Sequence, residues 1–134
     1  MNTIATLTRK FNTPSLDHLI EETEIPVLTG PCAQGDVNWW PTREGKVAGL
    51  VEVKPEGYQV VKGEAGGNTH LLLADGPVFF APANDLLRLG TLVVPEGSIA
   101  HLHHPEHGYH SIGVGTYIMK GQRTQMDEIR RVAD

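Results

Sequence analysis

The chain has 134 residues, of which 40% are hydrophobic and 20% are charged, and this composition is typical of one globular domain. Its formal net charge of −5 argues against a dedicated binder of nucleic acid or of an anionic membrane surface, because both depend on basic patches. No apolar run approaches the roughly 20 residues of a membrane span, and no signal peptide is evident. Cys32 is the single cysteine, which excludes an intramolecular disulfide. We therefore expect a cytoplasmic protein.

An N-terminal arm over residues 1–23 is expected to precede a β domain over residues 24–134. The first residues are polar and mixed, which indicates a loose arm as far as residue 12. Thr13-Pro14 is typical of a helix start, since threonine caps a helix and proline is favoured at its first position. Leucine and isoleucine follow at helical spacing, so we predict a short helix over about Pro14–Glu22. Such an apolar stripe suits contact with a protein partner or with a second copy of the chain.

Short β-rich runs, separated by glycine, proline or asparagine, fill the rest of the chain. Many short strands at this spacing indicate a small β-barrel or β-sandwich. The predicted strands are Ile25–Leu28, Asp36–Trp40, Val47–Val53, Tyr58–Lys62, Thr69–Ala74, Pro77–Ala81, Thr91–Val94, Ile99–His103, Thr116–Lys120 and Ile129–Val132. We predict a hairpin at Asp75-Gly76, because this dipeptide suits a turn whose central residues have positive φ.

Five of the seven histidines lie between His101 and His110. On a strand, His101 and His103 share one face, whereas Leu102 and His104 share the other. Pro105 should end that strand, which would leave the last two histidines, His107 and His110, in a loop.

Clustered imidazoles are typical ligands of zinc or iron when several converge on one ion. Such a site needs a further ligand from elsewhere in the fold. His70 is the remaining histidine outside the N-terminal segment, and Glu106, Glu64 or water are candidates for a fourth position. Two other interpretations stay open: a solvated loop in which the histidines cap backbone carbonyls, and a pH-responsive patch, since imidazoles titrate near neutral pH.

A series of short motifs resembles a family of small, uncharacterised bacterial and phage proteins. Their pattern has a strand like Gln34-Gly35-Asp36-Val37, a Gly-Glu-x-Thr-Gly-His-x-His segment and a His-x-x-His segment, followed by Gly-Thr-Tyr, Gln-Arg and Arg-Arg-Val-x-Asp. In this chain the later motifs correspond to Gly63–His70, His104–His107, Gly115-Thr116-Tyr117, Gln122-Arg123 and Arg130–Asp134. The resemblance covers roughly residues 33–134. A second, more distant resemblance is to cupins. Pro95-Glu96-Gly97 followed by His101-Leu102-His103 resembles their first metal motif, although the intervals between the residues of the motif are shorter in this chain.

The family resemblance implies a metal site formed by His70, His104 and His107. This chain departs from the pattern where the family's first histidine is Asn68 and its threonine is Gly66. Asparagine is a poor ligand for zinc or iron, so either the three histidines suffice together with water or this member has lost the site.

The leading hypothesis is therefore a small module that binds a divalent metal, zinc or iron. If it catalyses a reaction, metal-assisted hydrolysis is the natural class, with Glu64 as general base and Arg123 as the clamp for an anionic substrate. The rival hypothesis is a non-enzymatic interaction or structural protein, such as a phage accessory or virion component, which would assemble through its N-terminal arm.

Overall fold

The computed structural model describes residues 2–13, 24–61, 69–83 and 88–121. These residues form one helix and eleven strands. In chain order the elements are α1 (Ile4–Phe11), β1 (Val27–Leu28), β2 (Cys32–Gln34), β3 (Val37–Pro41), β4 (Val51–Glu52), β5 (Tyr58–Val61), β6 (His70–Asp75), β7 (Phe79–Pro82), β8 (Arg88–Val94), β9 (Ile99–His104), β10 (Gly108–Ile112) and β11 (Gly115–Gly121). The predicted mainly-β class is confirmed.

The strands form two sheets. One has five strands in the order β1-β10-β9-β6-β5, and the other has six in the order β2-β3-β11-β8-β7-β4. All neighbouring strands are antiparallel except β1, which pairs with β10 in parallel. Within the described residues neither sheet closes on itself, so the domain is a sandwich, which was one of the two predicted architectures.

The main core lies between the two sheets. Alternate residues of each strand point inward, so Leu72 and Leu102 of the five-stranded sheet pack in one cluster with Trp39, Leu92 and Tyr117 of the six-stranded sheet. Each of these side chains is at most 2% exposed. Fully burying a leucine side chain stabilises a fold by roughly 1.5–3 kcal/mol, which makes this cluster the main support of the domain.

Helix α1 covers the outer face of the five-stranded sheet. Its Ile4 and Leu7 are buried in a second cluster with Leu73 of β6 and Tyr109 of β10. A capping box begins the helix, in which the Thr3 hydroxyl accepts a hydrogen bond from Thr6 N. The expectation of a loose arm through residue 12 was therefore wrong, because residues 4–11 bury an apolar stripe against the sheet. The helix predicted over Pro14–Glu22 lies outside the described residues.

The Asp75-Gly76 turn was predicted to close a hairpin, and this was wrong. β6 ends at Asp75 and pairs with β5 and β9, whereas β7 pairs with β4 and β8 in the other sheet. The chain therefore crosses between sheets here. Gly76 does adopt a positive φ of 85°, and a Cβ at this position would lie 2.8 Å from the Ser98 hydroxyl. Asp75 remains in the extended conformation of β6 and has no positive φ, so neither the predicted turn with two positive φ values nor the predicted strand pairing is formed.

Candidate metal centre

The ends of several strands meet at one end of the sandwich and bring a group of histidines together. Leu71 of β6 pairs with His103 of β9 in antiparallel register, so His70 lies opposite His104. Neighbouring residues of a strand point to opposite faces, and these two histidines share the inner face of the sheet. β9 ends at His104, as expected from Pro105. His107 lies in the following turn, as predicted. His110 was predicted in a loop, but it belongs to β10, because residues 108–112 return antiparallel to β9.

Three imidazole rings lie side by side at this end. The ring centroids of His70 and His104 are 4.6 Å apart, and those of His104 and His107 are also 4.6 Å apart. Among the described residues, the ligand atoms of His104, Glu106 and His107 all lie within 4.8 Å of one another. We call His104, Glu106 and His107 the metal group. The structure thus brings together the three histidines selected from the sequence, and it adds Glu106, which had been one of several candidates for the further ligand.

Gln34, at the end of β2, connects the histidines to the opposite sheet. Its side-chain Nε2 lies 2.9 Å from Leu102 O and 3.3 Å from Gly108 O. Carbonyl oxygens only accept hydrogen bonds, so this atom must be the NH₂ group of the amide. Gln34 Nε2 also lies 2.9 Å from His110 Nδ1, and Gln34 Oε1 lies 3.0 Å from His70 Nδ1.

These contacts fix the protonation of two imidazole rings. His70 Nδ1 must donate to the Gln34 carbonyl oxygen, so the neutral ring of His70 has its lone pair on Nε2. The Gln34 amide has two protons, and its nearest acceptors are Leu102 O and His110 Nδ1, both at 2.9 Å. His110 Nδ1 therefore accepts, and the neutral ring of His110 carries its proton on Nε2. A single amide that is 1% exposed therefore gives the two histidines opposite tautomers.

Burial favours the uncharged form of three of the clustered imidazoles, those of His70, His104 and His110. Burial is the main cause that lowers the pKa of His70 to about 4, and the nearby His104, His107 and His110 contribute to this shift. Burial also lowers the pKa of His104 and of His110, and His107 contributes to both shifts. Neutral imidazole is the form that binds a metal ion, so burial favours the protonation state that a metal requires at these three rings.

The turn at Gly35 lies directly against this cluster. Gly35 has a φ of 56°, and a Cβ placed on it would lie 3.1 Å from His107 Nε2 and 3.4 Å from His70 Cε1. Glycine at this position therefore satisfies the positive φ and leaves room for both rings.

The remaining histidines of the late stretch lie on the other face of the sheet. His101 is fully buried, its Nδ1 is 2.7 Å from Ser111 Oγ, and its ring centroid is 5.5 Å from that of Phe11 of α1. The ring of His103 packs against Tyr109, with centroids 4.8 Å apart. These two histidines, which carried the likeness to cupins, are therefore separated from the metal group by the sheet.

Two predicted functional residues, Glu64 and Arg123, lie outside the described residues. Gln34 was noted in the sequence only as part of a strand motif, and its role as the centre of the hydrogen-bond network was missed. Its position at the head of the motif series was the one signal that pointed to it. His110 was also set aside, because the family pattern does not include it.

The protein is therefore a small two-sheet β domain that carries a histidine cluster at one end of the sandwich. No helix within the described ranges is long and apolar enough to cross a membrane.

The chain belongs to the family described as "Domain of unknown function (DUF8820)", whose model matches residues 33–122. This confirms the expected membership of an uncharacterised family. The match begins one residue before Gln34 and includes all the histidines of the cluster. No curated protein and no solved structure matches the chain.

Proposed function

We propose that this protein is a module that binds one divalent metal ion, zinc or iron, through the metal group, with His70 as an additional ligand. The observation that carries the proposal is the closeness of His104, Glu106 and His107, whose ligand atoms lie within 4.8 Å of one another. Two imidazoles and a carboxylate form a common ligand set for catalytic zinc and for non-haem iron(II).

The separation of these atoms is compatible with a metal site after a small contraction. Ligands at 2.0–2.1 Å from a tetrahedral zinc ion lie roughly 3.4 Å from one another. His104 is the last residue of β9, and Glu106 and His107 are exposed in the turn that follows it. Metal binding would therefore draw one surface turn together and would leave the two sheets as they are.

The hydrogen bonds favour His70 as a ligand and set a condition on His104. Metal-binding histidines usually donate their second ring N–H to a protein acceptor, which fixes the orientation of the ring. His70 has this arrangement, because its Nδ1 donates to Gln34 and its Nε2 lone pair has no hydrogen-bond partner among the described residues. His104 Nδ1 instead accepts from Glu106 N at 3.0 Å. Ligation by His104 requires that this hydrogen bond be released.

A metal ion bound here would supply Lewis-acid chemistry at a partly exposed site. Metal-assisted hydrolysis is the reaction class that we propose for it. In this scheme Glu64 acts as general base and Arg123 binds an anionic group of the substrate. Both roles extend the proposal from the sequence motifs, and neither is needed for metal binding itself.

Cobalt(II) titration of the metal-free full chain tests the binding proposal, because cobalt replaces zinc and reports its ligands by absorption. We expect saturation at one ion per chain, and we expect Glu106→Gln to weaken binding by at least about tenfold. The matched control is Glu96→Gln, which changes an exposed glutamate in the β8–β9 turn. Equal affinities for the two variants would count against Glu106 as a ligand, and the absence of any saturable binding would refute the proposal.

Release of the His104 hydrogen bond gives a second readout. The backbone amide of Glu106 should shift strongly in a proton–nitrogen NMR spectrum when zinc is added. The resonance of the Gln59 amide, an exposed residue of β5, should not shift.

The alternative function is an interaction module, and an exposed apolar edge favours it. β1 forms one edge of the five-stranded sheet, and Val27 and Leu28 are 44% and 46% exposed. Val114, 47% exposed, follows Gly113, whose N–H donates to Leu28 O. Edge strands with apolar side chains are suited to pairing with another chain. If this is the function, Val27→Lys should abolish a dimer or complex seen by light scattering, and the metal-group variants should leave that assembly unchanged.

A further inference from the structure

An apolar cavity of about 400 Å³ lies beside the histidine cluster. It is bounded by the start of α1, by residues 24–28, and by β2, β3 and β10. Its apolar wall includes Ile4, Ile25, Leu28 and Trp39. A cavity of this size is in the range that binds small organic molecules. It shares His107 with the metal group, but the contacts considered below require no metal ion.

The polar groups that β3 and β10 contribute to the wall divide into two sets. The Tyr109 hydroxyl is hydrogen-bonded to Thr13 and Thr8, and the Ser111 hydroxyl is bonded to His101 Nδ1. These hydroxyl groups are therefore engaged inside the domain. In contrast, the Nε1 of Trp39 and the Nε2 of His110 have no hydrogen-bond partner among the described residues.

Both unpaired groups are donors. Trp39 Nε1 always carries a proton, and His110 Nε2 carries one because Gln34 donates to Nδ1 of the same ring. The two rings that carry these donors meet edge-on with centroids 5.9 Å apart, so they are neighbours in the wall. A ligand that matches this wall must present a hydrogen-bond acceptor.

Charge selects among ligands that carry acceptors. Among the described residues that line the cavity there is no lysine or arginine, and the exposed Glu24 is part of the wall. A carboxylate would be disfavoured here, because it would lose water and face a negative side chain without a cation to balance it. A carbonyl oxygen on a neutral molecule accepts hydrogen bonds and carries no negative charge, so it suits this wall.

We propose that this cavity binds a neutral small molecule with an apolar ring and a carbonyl group, whose oxygen accepts hydrogen bonds from Trp39 Nε1 and His110 Nε2. The ring of the ligand packs against the isoleucine and leucine side chains. This site shares His107 with the metal group, but neither of its two hydrogen-bond donors belongs to that group.

Fluorine NMR of the full chain, kept metal-free by a chelator, tests the proposal with three probes of similar shape. Para-fluorobenzamide has a neutral carbonyl, para-fluorobenzoate has a charged carboxylate, and fluorobenzene has no acceptor. We expect the amide to bind about tenfold more tightly than fluorobenzene, which is the gain from roughly one neutral hydrogen bond. The carboxylate should bind more weakly than the amide.

Variants of the two donors separate hydrogen bonding from packing. Trp39→Phe and His110→Phe keep an aromatic ring and remove the N–H group. Because the two donors share the tenfold gain, each variant should weaken binding of the amide by about threefold and leave binding of fluorobenzene nearly unchanged. The matched control is Trp40→Phe, because Trp40 lies outside the cavity wall, where its ring is 5.1 Å from Lys120 Nζ. Far-UV circular dichroism checks that each variant is folded.

Three results would overturn the proposal: equal affinity for the amide and fluorobenzene, tighter binding of the carboxylate, or no binding of any probe at millimolar concentration. Because the chelator is present throughout, these results are independent of whether the metal group binds an ion.

Discussion

Replacement of Gln34 by methionine removes the amide that joins the two sheets at the histidine cluster. Methionine has a similar length and apolar volume, so the loss of packing is small. What is lost is the hydrogen bonding of a side chain that is 1% exposed. The partners at 2.9–3.0 Å are Leu102 O, His110 Nδ1 and His70 Nδ1.

The expected cost follows from the groups left without a partner. A buried donor or acceptor that loses its partner costs about 1–3 kcal/mol. Leu102 and His70 are buried, whereas His110 is only half-buried and can recover a hydrogen bond to water. Gln34→Met should therefore lower the free energy of unfolding by about 3 kcal/mol, which corresponds to a melting temperature lower by about 10 °C for a domain of this size.

Urea unfolding measures the change in stability, and histidine nitrogen NMR measures the change in tautomer. The wild-type chain should show a protonated Nδ1 on His70 and a protonated Nε2 on His110, and Gln34→Met should give mixed tautomers for both. Gln59→Met makes the same substitution at an exposed position of β5 and should change stability by less than about 0.5 kcal/mol. If the two variants are equally stable, or if the tautomers do not change, the proposed role of Gln34 is refuted.

Two further predictions concern stability away from the cluster. Burial lowers the pKa of His101 from its ordinary value of 6.5 to about 4 in the folded chain, so the unfolded state binds more protons between these pH values. The free energy of unfolding should therefore fall as the pH is lowered from about 6.5 to 4, by on the order of 3 kcal/mol from this residue. Urea unfolding of His101→Gln should show a smaller loss over the same pH range. An unchanged pH dependence in this variant would contradict the role given to His101. Gly90→Ala should lower the free energy of unfolding by about 2 kcal/mol or more, because its Cβ would lie 2.4 Å from Phe80 Cζ and 2.5 Å from Ala81 O. Gly45→Ala, whose Cβ would have no atom within 4 Å, should be nearly neutral in thermal unfolding. Similar melting temperatures for the two variants would disprove the close approach at Gly90.

The strands were largely predictable because their signals are local. β-branched residues between glycine and proline breaks located most of the described strands, including β9, whose end at Pro105 was correct. Two strands were missed, β2 and β10, because Cys32–Gln34 is only three residues long and Gly108–Ile112 contains glycine and histidine, which carry weak strand signals.

Which strands pair, and which faces are covered, depends on contacts distant in the sequence. Nothing local distinguishes a hairpin at Asp75-Gly76 from a crossing between sheets. The polar appearance of residues 1–12 likewise concealed that Ile4 and Leu7 lie on one side of a helix and cover Leu73.

The candidate site was predictable only where its residues carry a local signal in the sequence. Histidine spacing and the motif series selected His70, His104 and His107, and the structure brings their rings together. Gln34 could not be selected in this way, since its importance arises from hydrogen bonds across 36 to 76 positions of the chain.

The metal content of the purified chain tests the proposed function most directly. Elemental analysis should be made on full-length protein produced without a histidine tag, beside His104→Ala prepared in the same way. We predict about one zinc or iron ion per chain in the wild type and close to none in the variant. A wild-type chain that carries no metal and takes up none when zinc or iron(II) is supplied would contradict the proposal.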